Sequence, residues 1–100
     1  MGWIKAGKIS DIPEGKAIIL EAGAKQRALF NSGGKFYAID NICPHKGASL
    51  AEGYVENCQV TCAWHAWSFE LDSGKCLTLP GVKLKTYPVK IEKGDVFVQE

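Results

Sequence analysis

The chain has 100 residues, 46% of them hydrophobic and 23% charged, with a formal net charge of +1. That is the length of one domain with one core and an ordinary globular composition, which excludes disorder, collagen and coiled coil. Twelve basic residues nearly balance eleven acidic ones and are interspersed with them, leaving no electrostatic footprint for nucleic acid or an anionic membrane.

The first residues, Met1-Gly2-Trp3-Ile4-Lys5-Ala6, carry neither the apolar run nor the cleavage site of a secretory signal. Ala6 stands where myristoylation after Gly2 wants Ser or Thr. Trp3 is expected to anchor an N-terminal strand. Lys16 to Glu21 reads as a strand around the β-branched pair Ile18-Ile19. The longest aliphatic run, Ala17-Ile18-Ile19-Leu20, falls far short of the roughly 20 residues that span a bilayer. Gln26 to Asn31 and Lys35 to Asp40 flank Ser32-Gly33-Gly34, a link of hairpin length.

Ala48 to Glu52 fits a single helical turn ended by Gly53, and no stretch of about ten residues keeps a helical period. Asp72-Ser73-Gly74 marks a tight turn between Trp67 to Leu71 and Cys76 to Leu79. Tyr87, Val89 and Ile91 alternate with polar or turn-compatible neighbours, the period of a half-buried strand. Pro88 cannot donate to a ladder, so that strand is expected at an edge or bulged. Lys93-Gly94-Asp95 then turns the chain into Val96-Phe97-Val98. Close-spaced strands with Gly and Pro turns predict an all-β fold, a small antiparallel β-sandwich or barrel.

Chemistry is concentrated in six residues, four cysteines and two histidines. Each histidine stands just behind a cysteine, in Cys43-Pro44-His45 and Cys62-Ala63-Trp64-His65, with sixteen residues between the two groups. Such spacing lets one loop aim a thiolate and an imidazole at a common point. Zinc accepts two thiolates and two imidazoles, but its usual spacing pairs Cys with Cys and His with His. Mixed loops suit a binuclear iron–sulfur cluster better, with two thiolates on one iron and two imidazoles on the other.

The pair Cys43-x-His45 and Cys62-x-x-His65 resembles the binding motif of Rieske iron–sulfur proteins. Gly47, Leu50 and Gly53 follow the first loop as in that family. Trp64-His65-Ala66-Trp67-Ser68-Phe69, the Asp72-Ser73-Gly74 turn and Leu79-Pro80-Gly81 extend the likeness over most of the chain beyond about residue 35. The resemblance implies a single Rieske domain over 1–100, with a cluster-binding subdomain at about 41–80. It implies a 2Fe-2S cluster held by Cys43 and Cys62 on one iron and by His45 and His65 on the other. Leu79-Pro80-Gly81 corresponds to a loop covering the cluster from a third side.

Departures from the family are informative. Rieske proteins of the cytochrome bc complexes carry a further cysteine in each loop, joined as a disulfide; Ala48 and Trp64 hold those positions here. The serine and tyrosine that hydrogen-bond cluster sulfur in those proteins are replaced by Trp67 and Phe69. Losing such bonds lowers the potential, whereas histidine ligation raises it, because the oxidised cluster is then formally neutral. A midpoint in the lower part of roughly −150 to +300 mV is expected. Ala63 stands where proline is common and Ala66 where glycine is usual. Cys58 and Cys76 match neither of the family's disulfide positions and are expected to be reduced structural residues. Trp64, Trp67 and Phe69 are expected to pack around the loops, and Lys46 to be solvated.

These features resemble the soluble, low-potential Rieske-type ferredoxins. The resemblance implies a non-enzymatic, monomeric, cytoplasmic one-electron carrier. Its partners would be an NAD(P)H-dependent reductase and a terminal, commonly aromatic-ring-hydroxylating, oxygenase. Loss of a proton from His45 or His65 on oxidation would make the potential fall with rising pH. Two alternatives stand beside this reading: the small subunit of an assimilatory nitrite reductase, and a zinc-stabilised or cluster-free interaction module.

Overall fold

A computed structural model describes residues 2–22, 25–42, 49–62, 67–78 and 81–99. Its strands are β1 (Trp3–Lys8), β2 (Ala17–Ala22), β3 (Lys25–Ser32), β4 (Lys35–Asp40) and β5 (Tyr54–Glu56), then β6 (Gln59–Thr61), β7 (Ser68–Glu70), β8 (Thr86–Tyr87), β9 (Val89–Glu92) and β10 (Asp95–Gln99). They form three sheets of order β1-β10-β9, β2-β3-β4-β8 and β5-β6-β7, every paired neighbour antiparallel. The expected all-β antiparallel class is what folds. Helical structure among the described residues is confined to 3₁₀ turns at Ile9–Asp11 and Leu50–Glu52. Among those residues no helix is long and apolar enough to cross a membrane.

The four-stranded sheet is the middle layer, because β3 is buried on both faces. Ala28 and Phe30 enter one core with Ile39, Leu50, Val60, Cys62, Phe69 and Leu71. Leu29, between them in sequence, enters the other core with Ile12, Ala38, Tyr87, Val96 and Val98. Successive strand residues point to opposite faces, so Ala28-Leu29-Phe30 reads as a continuous apolar run instead of an alternation. Fully burying side chains of this size is worth about 1.5–3 kcal/mol each. The first core joins the middle sheet to β5-β6-β7, the second to β1-β10-β9.

The β3–β4 hairpin lies where the sequence places it, its register running from Arg27↔Asp40 to Ser32↔Lys35. Gly33 and Gly34 both take positive φ, as the favoured two-residue hairpin turn requires. Pro88 separates two short edge strands. β8 ends the middle sheet, β9 edges the outer one, and the Pro88 carbonyl still accepts from the Gln99 N–H at 3.0 Å. The alternation through this segment is therefore corrected: Tyr87 and Val89 pack inward, but Ile91, near the end of the edge strand β9, is exposed.

Two further differences have local causes. β5 and β6 were not evident in the sequence, because three-residue strands are too short to show a period. Their turn residues, Asn57 and Cys58, have φ of 52° and 62°, and Cys58 is no ordinary turn signal. The segment after the 72–74 turn forms isolated bridges, Phe69↔Cys76 and Lys75↔Lys83, where a strand over Cys76 to Leu79 is expected. Gly74 is required there: its φ is +77°, and a Cβ would overlap the Leu84 carbonyl.

Candidate metal centre

Of the four expected ligands, Cys43, His45 and His65 lie outside the described residues, as do Lys46, Gly47, Ala48, Ala63, Trp64, Ala66, Leu79 and Pro80. Cys62 is described. It directly follows β6, is 1% exposed and carries a free thiol. What the structure adds is the framework at the feet of the three segments that carry the motif.

Segment 43–48 is bracketed by Asn41 and Ile42 on one side and Ser49 to Ala51 on the other. Ile42 and Ser49 form an antiparallel bridge, and the Leu50 N–H donates to the Asn41 carbonyl at 2.7 Å. The Asn41 side chain adds to this closure. Its Oδ1 accepts from the Ser49 hydroxyl at 3.1 Å and the Ala51 N–H at 2.9 Å, while Nδ2 donates to Gln26 Oε1 at 3.1 Å. The expected single turn is the 3₁₀ turn Leu50–Glu52, ended by Gly53, whose N–H bonds the Leu50 carbonyl.

Segment 63–66 is bracketed by Cys62 and Trp67, whose N–H and carbonyl meet at 2.7 Å. The Thr61 and Ser68 hydroxyls bond one another at 3.0 Å one step further back. Ser68 also reaches the third segment: its N–H donates to Thr78 Oγ1 at 3.0 Å, and its carbonyl accepts from the Leu77 N–H at 2.7 Å. Val82 then closes that segment by accepting from the Cys76 N–H at 2.9 Å.

Leu50, Cys62, Phe69 and Cys76 all belong to one buried core, with Trp67 and Val82 packed on it. The three segments therefore start from one rigid patch. Trp67 and Phe69 are packing residues here, as expected. Of the expected donors only Cys62 is described; its thiol is in no disulfide and so can bind a metal as thiolate, as an iron–sulfur cluster would require.

The spare cysteines lie on opposite sides of one strand. Cys76 is buried and bridges Phe69 on one side of β7. Cys58 stands on β7's other side, its carbonyl accepting from the Leu71 N–H at 2.9 Å. A strand thus separates them and neither forms a disulfide, in keeping with the expectation that they stay reduced.

Charge is organised behind the first segment. The Tyr87 hydroxyl donates to Asp40 Oδ1 at 2.6 Å, and the Arg27 guanidinium lies 4.1 Å from the centre of the Tyr87 ring. Burial, then the bond to Asp40, pushes the Tyr87 hydroxyl above the usual phenol range. No sequence signal marked Asn41, Gln26, Ser49, Thr61 or Thr78, because each acts through a partner on another segment.

Residues 2–88 match the model of the Rieske [2Fe-2S] domain. The 3-phenylpropionate/cinnamic acid dioxygenase ferredoxin subunit of Escherichia coli (strain K12) is 47% identical over 100 residues, covering 98% of this chain and 93% of the relative. A solved complex of reduced oxygenase and oxidized ferredoxin in carbazole 1,9a-dioxygenase matches with a TM-score of 0.89 and 31% identity, over 96% of this chain and 91% of that one. A Mycobacterium tuberculosis protein assigned as an NADH-dependent nitrite reductase small subunit gives a TM-score of 0.90 at 27% identity, over 97% and 93% of the two chains. The choice between zinc and iron–sulfur that spacing left open thus falls to the 2Fe-2S cluster, and the chain belongs to the Rieske [2Fe-2S] domain family.

Proposed function

We propose that this chain is the ferredoxin of a multicomponent oxygenase. It takes one electron from an NAD(P)H-dependent reductase and passes it to a terminal oxygenase that hydroxylates an aromatic ring. The observation that carries this is the 47% identity to a dioxygenase ferredoxin subunit, which runs through nearly the whole of both chains. A carrier of this kind is no enzyme in its own right. The cluster supplies the redox chemistry, and the chain supplies ligation, a dry setting and a docking face.

In this reading Cys43 and Cys62 hold one iron, His45 and His65 hold the other, and residues 41–80 form the cluster-binding subdomain of a single domain. The carrier works as a cytoplasmic monomer. Cys62 contributes a thiolate from the edge of a packed core, where its position is fixed by β6 and by the bond to Trp67. The Thr61–Ser68 and Ser68–Thr78 bonds brace the flanks of the second and third segments against each other.

The test is direct. Purified protein should be brown, contain two irons and two sulfides, and become paramagnetic on one-electron reduction. Replacing Cys43 or Cys62 by Ser, or His45 or His65 by Ala, should abolish the colour; replacing Cys58 or Cys76 by Ser should leave it. A colourless zinc protein would defeat this reading. The nitrite reductase alternative has the likeness of fold in its favour. Rapid oxidation of the reduced protein by a ring-hydroxylating oxygenase, with none by a nitrite reductase large subunit, separates the two.

A further inference from the structure

We propose that Asn41 is a positioning residue for the first ligand segment, fixing where Cys43 and His45 are presented. The inference rests on the ligand assignment above. Asn41 is fully buried, and a buried carboxamide is costly unless its hydrogen bonds are made. Here they are spent on one task. Both Oδ1 acceptor sites serve the far side of the segment, through the Ser49 hydroxyl and the Ala51 N–H. Nδ2 and the backbone N–H serve the near side, bonding Gln26 Oε1 at 3.1 Å and the Gln26 carbonyl at 3.0 Å. The Asn41 carbonyl takes the Leu50 N–H.

One residue therefore ties both ends of segment 43–48 to strand β3 of the middle sheet. The geometry selects asparagine. Serine is too short to reach both loop donors, glutamine adds a methylene in a filled core, and alanine leaves the Ala51 N–H without its acceptor. The ladder alone would close the segment through Leu50 and the Ile42↔Ser49 bridge. The carboxamide adds three bonds that join the flanks of the segment to the sheet.

The second buried asparagine supplies a matched control. Asn31 lies at the other end of the β3–β4 hairpin, 6% exposed, with its Nδ2 donating to the Ile12 carbonyl at 2.7 Å and its Oδ1 accepting from the Gly34 N–H at 3.0 Å. Those side-chain bonds run to residues that flank none of the three segments. Asn41→Ala, Ser49→Ala and Asn31→Ala should be compared in the cluster-loaded protein by Tm, reduced-state paramagnetic spectrum, midpoint potential at fixed pH and bleaching by an iron chelator. Asn41→Ala should bleach about tenfold faster, with an altered spectrum and a shifted midpoint. Ser49→Ala, losing one bond, should show a smaller change of the same kind. Asn31→Ala should lower Tm and leave spectrum, midpoint and bleaching rate as in the wild type.

If Asn41→Ala does not fold, Ser49→Ala must still bleach faster than Asn31→Ala. Should the Asn41 and Ser49 variants bleach no faster than Asn31→Ala, with unchanged spectra and midpoints, the positioning role is overturned while the ligand assignment stands. A wild-type protein that takes up no cluster when supplied with iron and sulfide overturns both.

Discussion

Gly53→Ala should damage both the fold and the metal centre. Gly53 sits at the exit of the first segment with an ordinary φ of −83°, so the substitution adds volume without backbone strain. The added Cβ would overlap the Thr61 carbonyl oxygen, with the Thr61 carbonyl carbon at 3.1 Å and the Leu50 carbonyl oxygen at 3.2 Å. All three obstacles are backbone, so no side-chain rotation relieves them. Restoring ordinary contact requires a retreat of more than about 1 Å between residues 50–53 and Thr61. Overpacking of this kind costs about 1–3 kcal/mol, and each kcal/mol is about 4–8 °C of Tm in a domain of this size. The displacement matters more to the metal centre than to the fold. Thr61 directly precedes Cys62, so the clash drives the flanks of the first and second segments apart, whereas metal–ligand bonds tolerate only about 0.2 Å. Thermal unfolding of the apoprotein and iron content after reconstitution measure the two effects separately. A variant with wild-type Tm and full iron content would refute the argument that this close approach sets the spacing of the ligand segments.

Alkaline stability should report on Tyr87. Because its folded pKa is raised, its contribution is complete below the ordinary value near 10 and drains away as pH rises through the folded value. Tyr87→Phe should therefore cost about 1 kcal/mol at pH 7 through the lost bond to Asp40 and flatten the fall in Tm above pH 10, in a pH series of melts. Cys58→Gly should raise stability by about 0.5–1 kcal/mol, since it relieves a φ of 62° and makes an Asn-Gly turn; denaturant unfolding reads the gain, and an unchanged visible spectrum marks Cys58 as a bystander. Lys75 and Lys83 face each other in an isolated bridge and are both exposed. Lys75→Glu should add roughly 0.5 kcal/mol at low ionic strength, and the gain should vanish in melts at 1 M salt.

How much of the fold could be read from the residues depended on how local its determinants are. The β3–β4 hairpin and the β9–β10 turn carry their own chemistry, glycines at positive φ between apolar runs, and both lie where read. The β5–β6 hairpin carries none. Its strands are three residues long, its turn uses Asn57 and Cys58, and the turn is held by a bond from the Cys58 N–H to Ser32 Oγ, 26 positions away. Ile91 differs for a related reason: its alternation with Tyr87 and Val89 is real and it pairs with the buried Val96, but it lies near the end of an edge strand and is exposed.

The metal centre divides along the same line. The proposed ligands Cys43, His45, Cys62 and His65 announce themselves because iron ligation demands particular atoms, and few other tasks place cysteine and histidine at those offsets. Holding the ligands in place demands only hydrogen bonds and clearance, which asparagine, serine, threonine and glycine provide in every protein. Asn41 becomes meaningful only when Gln26 and Ala51 are brought beside it, Gly53 only when Thr61 is, and Ser68 only when Thr78 is. A single sequence states the chemistry of such a site and conceals its mechanics. Rieske domains with the same four ligands therefore have room to differ in potential and cluster stability through residues that no motif contains, and in this chain Asn41, Gly53 and Ser68 are where such differences would be written.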